Sequence, residues 1–177
     1  ARYNARMISV ADAQTHILAQ VERVVPPEVV PVGAARGRVL AEDVRAAMDV
    51  PPTDNSAVDG YAVRSADIPV TGTRELTVVA DLPAGAVFDA TLGAGEALRI
   101  MTGAPMPAGA DTVYPQEVVE RSGRSVRVPA GPAGVNVRQR GEDVRAGSVV
   151  LAAGTALRPQ ELGVAASLGL PQLLVHQ

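Results

Sequence analysis

The sequence contains no cysteine, no tryptophan and no lysine, and among its 177 residues only Tyr3, Tyr61, Phe88 and Tyr114 are aromatic. Each gap excludes something. Without cysteine there is no disulfide framework, thiolate nucleophile, iron–sulfur cluster or thiolate zinc site. The histidines, His16 and His176, lie far apart and do not make a histidine-rich metal centre. All 16 basic residues are arginine, scattered among 19 acidic ones for a net charge of −3, which argues against a nucleic-acid partner. No apolar run approaches the roughly 20 residues of a membrane span, and the first residues do not read as a signal peptide. The expected setting is therefore cytoplasmic, with no membrane partner. With so few aromatics the core must be aliphatic, and a chain this long buries roughly 70% of its unfolded surface without needing staples.

What is present begins with a helical pattern. Val10, Ala13, Ile17, Val21 and Val24 recur at spacings of three and four and make one apolar stripe. Ser9 stands at the N-cap position with Asp12 three residues on, and Pro26-Pro27 ends the pattern, which predicts a helix over 9–25. His16 lies beside the stripe and reads as a partly buried structural histidine. Met48, Met101 and Met106 read as core or loop gap-fillers.

Beyond the helix the chain breaks into short extended pieces separated by some of its 17 glycines and 14 prolines. Strands are expected at 29–32, 39–44, 60–63, 76–80, 97–101, 112–119, 125–128, 148–151 and 173–175. Ser122-Gly123 and Ala146-Gly147 carry tight-turn chemistry. A second helix is expected from Pro159 to Ser167, with proline at its start, Leu162, Ala165 and Ala166 on one face and Gly169 as the stop. The sum is a β-rich α+β fold of two lobes. Residues 1–50 and 129–177, including the helix, are expected to form a discontinuous first lobe, with 51–128 inserted as a second.

No P-loop, dinucleotide glycine fingerprint, nucleophile elbow or zinc-protease helix is present. Chemistry must be sought in loops dense in oxygen and glycine. In the first, residues 51–63, Asp54, Asn55, Ser56 and Asp59 can supply oxygens to Mg²⁺ or position a polar substrate. The same residue types also close Asx-turns and cap helices with no chemistry attached. In the second, residues 99–111, a strand ends at Met101, and Thr102 and Gly103 then offer a hydroxyl and backbone N–H groups to an oxyanion. The alternative is a stiff proline-rich connection. A third segment, 136–144, holds Arg138, Arg140, Glu142 and Asp143. It suits either an oxyanion, through arginine forks, or a run of mutually paired surface charges.

Four phrases resemble the molybdenum insertase family, known as MoeA in bacteria and as the E domain of gephyrin in animals. They are PPTDNSAVDGYAVR at 51–64, RIMTGAPMPAGADTV at 99–113 with Glu117 after it, NVRQRGEDVRAG at 136–147 and LAAGTALRPQELGVAASLGL at 151–170. They occur in the family's order and are spread between residues 51 and 170. Thr53 and Val58 replace an aromatic residue and a methionine usual in the family, and Tyr114-Pro115 replaces a more aliphatic run, changes that should touch packing rather than oxygen ligands.

The resemblance implies a transferase of molybdenum cofactor biosynthesis. Its substrates would be molybdate and adenylylated molybdopterin, its products the cofactor and AMP, with Mg²⁺ assisting. It implies Asp59 and Thr102 as catalytic and Asp54, Asn55, Ser56, Gly103 and Glu117 as substrate-binding, with the metal ligands left open. It further implies small-molecule partners and a homodimer of the full-length protein. The family's molybdopterin-binding domain, with its Thr-Gly-Asp-Glu signature, and its C-terminal β domain resemble no segment of these residues. The chain alone is therefore expected not to catalyse insertion. A non-catalytic dimerisation or scaffold module, as in gephyrin, is the alternative.

Overall fold

The computed structural model describes residues 8–21 and 26–177, which divide into two compact units: residues up to 44 together with 151–177, and residues 45–150. The division falls outside the expected limits of 51 and 128. Residues 45–50 and 129–150 belong with the inserted segment because their backbone bonds close within it: Val50 N–H donates to Val144 O and Gly141 N–H to Pro51 O.

In chain order the elements begin with α1 (Val10–Ala19), β1 (Glu28–Pro31), β2 (Val39–Leu40), β3 (Val44–Arg45), β4 (Asn55–Ser56) and β5 (Gly60–Val63). They continue with β6 (Thr73–Leu82), β7 (Glu96–Ile100), β8 (Thr112–Pro115), β9 (Glu120–Ser122) and β10 (Ser125–Pro129). The last are β11 (Val137–Arg138), β12 (Val149–Leu151), α2 (Pro159–Ser167) and β13 (Gln172–His176).

In the unit formed by the chain ends, β1, β13 and β2 make an antiparallel sheet with Val29 opposite Leu174 and Leu40 opposite Val175. Helix α2 has the expected bounds. At its start Glu161 accepts the backbone N–H of Arg158 at 2.9 Å and its guanidinium at 2.7 Å, which closes one orphan donor of the first turn. Helix α1 begins as expected, with the Ser9 hydroxyl oxygen accepting the Asp12 N–H at 3.0 Å. It ends at Ala19, short of 25, and residues 22–25, including Val24, lie outside the described ones. Its stripe is not buried: Val10, Ile17, Leu18 and Val21 are between 64% and 77% exposed. His16 is exposed as well, not partly buried.

The central unit is built on a six-stranded sheet in the order β8-β5-β7-β6-β10-β9, antiparallel except for the parallel pair β6–β7. Both faces are covered, so β5 is buried at every position. With its period of two, Tyr61 and Val63 enter one core with Leu76, Val78, Ala97, Tyr114, Val126 and Val128, while Ala62 enters another with Leu82, Leu98, Ile100 and Val113. In β6, Leu76 and Val78 would share a face with Ala80 and Leu82 if the strand were regular. A bulge between Val78 and Ala80 instead sends the second pair to the opposite core.

The expected strand at 112–119 stops at Pro115 because Gln116–Val118 turns as a short 3-10 helix. The stretch 39–44 forms two separate two-residue strands. Strands β4, β9 and β11 lie outside the expected set. The Ser122-Gly123 turn does join β9 to β10, with Gly123 at a positive φ of 57°. Met106 packs against the second core, whereas Met48 is 55% exposed and fills no gap. Among the described residues no helix is long and apolar enough to cross a membrane.

Candidate functional site

The site starts from a close approach of two strands. A Cβ at Gly60 would lie 2.0 Å from the Tyr114 carbonyl oxygen, so only glycine lets β5 run this near to β8. Asp59 immediately precedes Gly60 and is exposed. Gly60 is also opposite Ile100, the last residue of β7, so the turn after β7 emerges beside Asp59. There the backbone N–H of Thr102 donates to Asp59 Oδ1 at 2.8 Å and the Thr102 hydroxyl donates to the same oxygen at 2.6 Å. Two residues 43 apart in sequence are thereby joined. The hydroxyl bond first, then the amide bond, hold the Asp59 carboxyl below its ordinary range, partial desolvation opposes them, and the charge of Arg99 adds to the lowering. Asp59 Oδ2 has no hydrogen-bond partner among the described residues. The result is an exposed carboxylate, ionised at neutral pH, with one oxygen fixed and the other without a hydrogen-bond partner among the described residues.

The backbone N–H groups of Thr102, Gly103 and Ala104 are not open donors. Thr102 N–H serves Asp59, Gly103 N–H donates to Ser56 O at 2.8 Å, and Ala104 N–H donates to Met101 O at 3.0 Å. Gly103, at φ 82°, closes this turn. The expected backbone cradle for an oxyanion is thus used up in holding the turn.

The other predicted residues occupy different settings. Ser56 is fully buried, and its hydroxyl donates to Val58 O at 2.6 Å, so it braces the loop. Asn55 lies on β4, and its Oδ1 is buried with no partner among the described residues. Asp54 is exposed and accepts the Arg140 N–H at 2.7 Å. Glu117 is exposed in the 3-10 turn, which is tied to the site because Gln116 N–H donates to Asp59 O at 3.1 Å. Asp59, Thr102 and Gly103 are brought together, with the turn of Glu117 anchored on the Asp59 backbone. Asp54 instead borders an open groove of about 450 Å³ between the two loops, with Pro52, Pro105, Met106 and Arg140.

Sequence reasoning missed Asp49. Its carboxylate accepts the Ala146 N–H at 2.8 Å and pairs with Arg140, and these contacts, the backbone one first, lower its pKa. Nothing in the local sequence around Asp49 signals a partner so far along the chain. Arg138 pairs with both Glu142 and Asp143, so the third segment is the mutually satisfied charge run of the two alternatives. Among the described residues no three His, Asp or Glu side chains gather as a metal cluster.

The family model describing the MoeA N-terminal region, domains I and II, matches residues 8–169. Among curated proteins, molybdopterin molybdenumtransferase 2 of Mycobacterium tuberculosis (strain H37Rv) is 43% identical over 174 residues, covering 96% of this chain and 42% of that protein. Molybdopterin molybdenumtransferase of Nostoc sp. is 40% identical over 154 residues, covering 85% and 35%. Among solved structures, the molybdopterin biosynthesis moeA protein of Pyrococcus horikoshii OT3 superposes with a TM-score of 0.88 at 38% identity, covering 96% of this chain and 46% of that one. The chain spans less than half the length of these relatives.

Proposed function

Since the chain belongs to the MoeA N-terminal region family, we propose that it forms the N-terminal part of a molybdopterin molybdenumtransferase, which joins molybdate to adenylylated molybdopterin and releases molybdenum cofactor and AMP. The observation that carries this reading is the Asp59–Thr102 pair, a preset charge at the junction of the two loops. Exchanging molybdate oxygen for dithiolene sulfur calls for fixed electrostatics rather than a strong nucleophile, which suits a site without cysteine or lysine.

In this reading Asp59 is the catalytic carboxylate. Thr102 spends both its donors on Asp59 and positions it. Mg²⁺ is commonly bound through one or two carboxylates plus substrate phosphates, and the unpartnered Asp59 Oδ2 fits the protein's share of such a site. When bound there it would neutralise phosphate charge. Asp54 and Glu117 are exposed and able to meet substrate, while Asn55, Ser56 and Gly103 shape the loops that carry Asp59. The remaining partners are proposed as follows: small-molecule substrates, a cytoplasmic setting, and a homodimer of the full-length protein. The exposed apolar side chains of α1 favour self-association. They equally suit the second reading, a scaffold module without catalysis.

One experiment separates the two. The chain replaces the matching region of the M. tuberculosis transferase, and the chimera receives adenylylated molybdopterin, molybdate and Mg²⁺. Cofactor formation is expected from the chimera and not from the 177-residue chain alone. A chimera that dimerises by light scattering yet makes no cofactor would leave only the scaffold.

A further inference from the structure

Arg36, Arg99, Arg124 and Arg145 are the described arginines whose side chains enter no hydrogen bond or ion pair. Arg36, Arg124 and Arg145 are exposed, where water serves the guanidinium. Arg99 is not. It is half-buried on β7, the third strand from one edge of the six-stranded sheet. A cation partly stripped of water, with a carboxylate near enough to act on but no direct ion pair or hydrogen bond, has donors left to give to another partner.

The surroundings of Arg99 point to what that partner is. Across the antiparallel pair β5–β7, Arg99 stands opposite Tyr61. Asp59 lies two residues before Tyr61, on the diagonal. Such diagonal neighbours are roughly 7–8 Å apart, within the range of long side chains. Even so, Arg99 makes no bond to Asp59, whose Oδ1 is held by Thr102. On its other side Arg99 faces Asp81 in register on β6, and Asp81 pairs instead with Arg121 at 3.9 Å. Both neighbouring carboxylates thus make their bonds elsewhere, and the guanidinium, near enough for its charge to act on Asp59, keeps its donors unused.

We infer that Arg99 recognises a tetrahedral oxyanion at the Asp59–Thr102 site, either a phosphate group of the substrate or molybdate itself. This deepens the function proposed above and rests on it. Guanidinium suits the role because its fixed fork of donors matches the oxygens of a tetrahedral anion better than a point charge does. The ionised Asp59 works against an anion so close by. Occupancy should therefore rise when Asp59 is neutral or covered by a divalent cation.

The test is calorimetric titration of the chain at low salt with inorganic phosphate and, separately, with molybdate, each with and without Mg²⁺. Arg99→Gln is expected to weaken binding about tenfold or more, and Arg99→Lys to keep part of it. Arg124→Gln, at the tip of the β9–β10 hairpin, should bind as the parent does. Asp59→Asn keeps an oxygen for the Thr102 bonds, loses the charge, and should tighten binding in the absence of Mg²⁺. A loss confined to phosphate assigns Arg99 to the phosphate group, and a loss confined to molybdate assigns it to the metal oxyanion. Equal binding by Arg99→Gln and the parent, or no binding of either anion by the parent at millimolar concentration, overturns the inference. If Arg99→Gln melts early, the comparison passes to Arg99→Lys, whose unchanged affinity for both anions would equally overturn it. A chimera that makes no cofactor while Arg99-dependent binding persists refutes the transferase reading and leaves this one standing.

Discussion

Around Arg138 every charge finds its counterpart close by. The guanidinium pairs with Glu142 and Asp143, and Glu142 also accepts the Gln139 backbone N–H at 2.9 Å. Around Asp59, one carboxylate oxygen takes two hydrogen bonds from Thr102, the other takes none, and Arg99 nearby is unpaired. Both regions lie in the central unit, and both carboxyls, Asp59 and Glu142, are held below their ordinary range. A lowered pKa therefore does not distinguish a working carboxylate from a structural one. What distinguishes them is the cation: Arg138 is ion-paired to both of its carboxylates, whereas Arg99, beside Asp59, is in no ion pair or hydrogen bond.

That contrast can be broken in several ways. The largest effect is expected in the chimera, where Asp59→Ala should cut cofactor formation by about 10²–10³, the usual cost of one preset electrostatic group. Arg138→Ala should leave the rate within a few-fold of the parent. Equal losses from the two would end the distinction. Next comes Gly60→Ala, whose methyl meets the Tyr114 carbonyl oxygen at 2.0 Å. Overpacking of this kind costs about 1–3 kcal/mol, which thermal melting should show as a clear fall. The same change at Gly33, with no atom within 4 Å and no positive φ, should have little effect.

A smaller and sharper effect is titration. Because folding lowers the pKa of Asp59 and Glu142, each contributes stability that is present above the unfolded carboxyl range, roughly pH 4. That stability is lost as the pH falls through the lowered folded values. Carboxyl NMR should show both midpoints below those of unfolded peptides. Thr102→Val removes the largest cause at Asp59 and should raise its midpoint alone, leaving Glu142 in place. The smallest effect is on stability. Arg138→Ala removes exposed ion pairs, and its melting temperature should stay near the parent's, since exposed pairs contribute little.

Much of this was legible in the sequence where a local pattern decides the outcome. Strand β5 and helix α2 keep their expected bounds because alternation, a leading proline and a following glycine act within a few residues. The start of α1 was legible from Ser9 and Asp12, but its stripe signals an apolar face without saying what covers it. Strands β4 and β11 were hidden because each is two residues long and exists only through pairing with the other. The joining of Asp59 and Thr102 was not readable from composition, which favoured plain turns over ligands. The family resemblance singled out both residues, and their hydrogen bonds depend on a register set by Gly60 and Ile100. Arg99 escaped notice because its significance is a missing partner, and an absence of contacts has no sequence signature.

The irregularity at Val79 makes the length of β6 as informative as its composition. Deleting Val79 would remove the extra residue and leave Ala80 and Leu82 on the second core, whereas deleting Asp81 from the regular stretch would turn Leu82 to the face of Leu76 and empty that core of it. At the Gly123 tip, where a Cβ would meet nothing within 4 Å, an added residue only lengthens a loop. Tolerance to insertion and deletion along this chain is therefore a property of parity, and the Asp59 turn inherits it through Ile100, which stands in register with Leu82 at the end of the bulged strand.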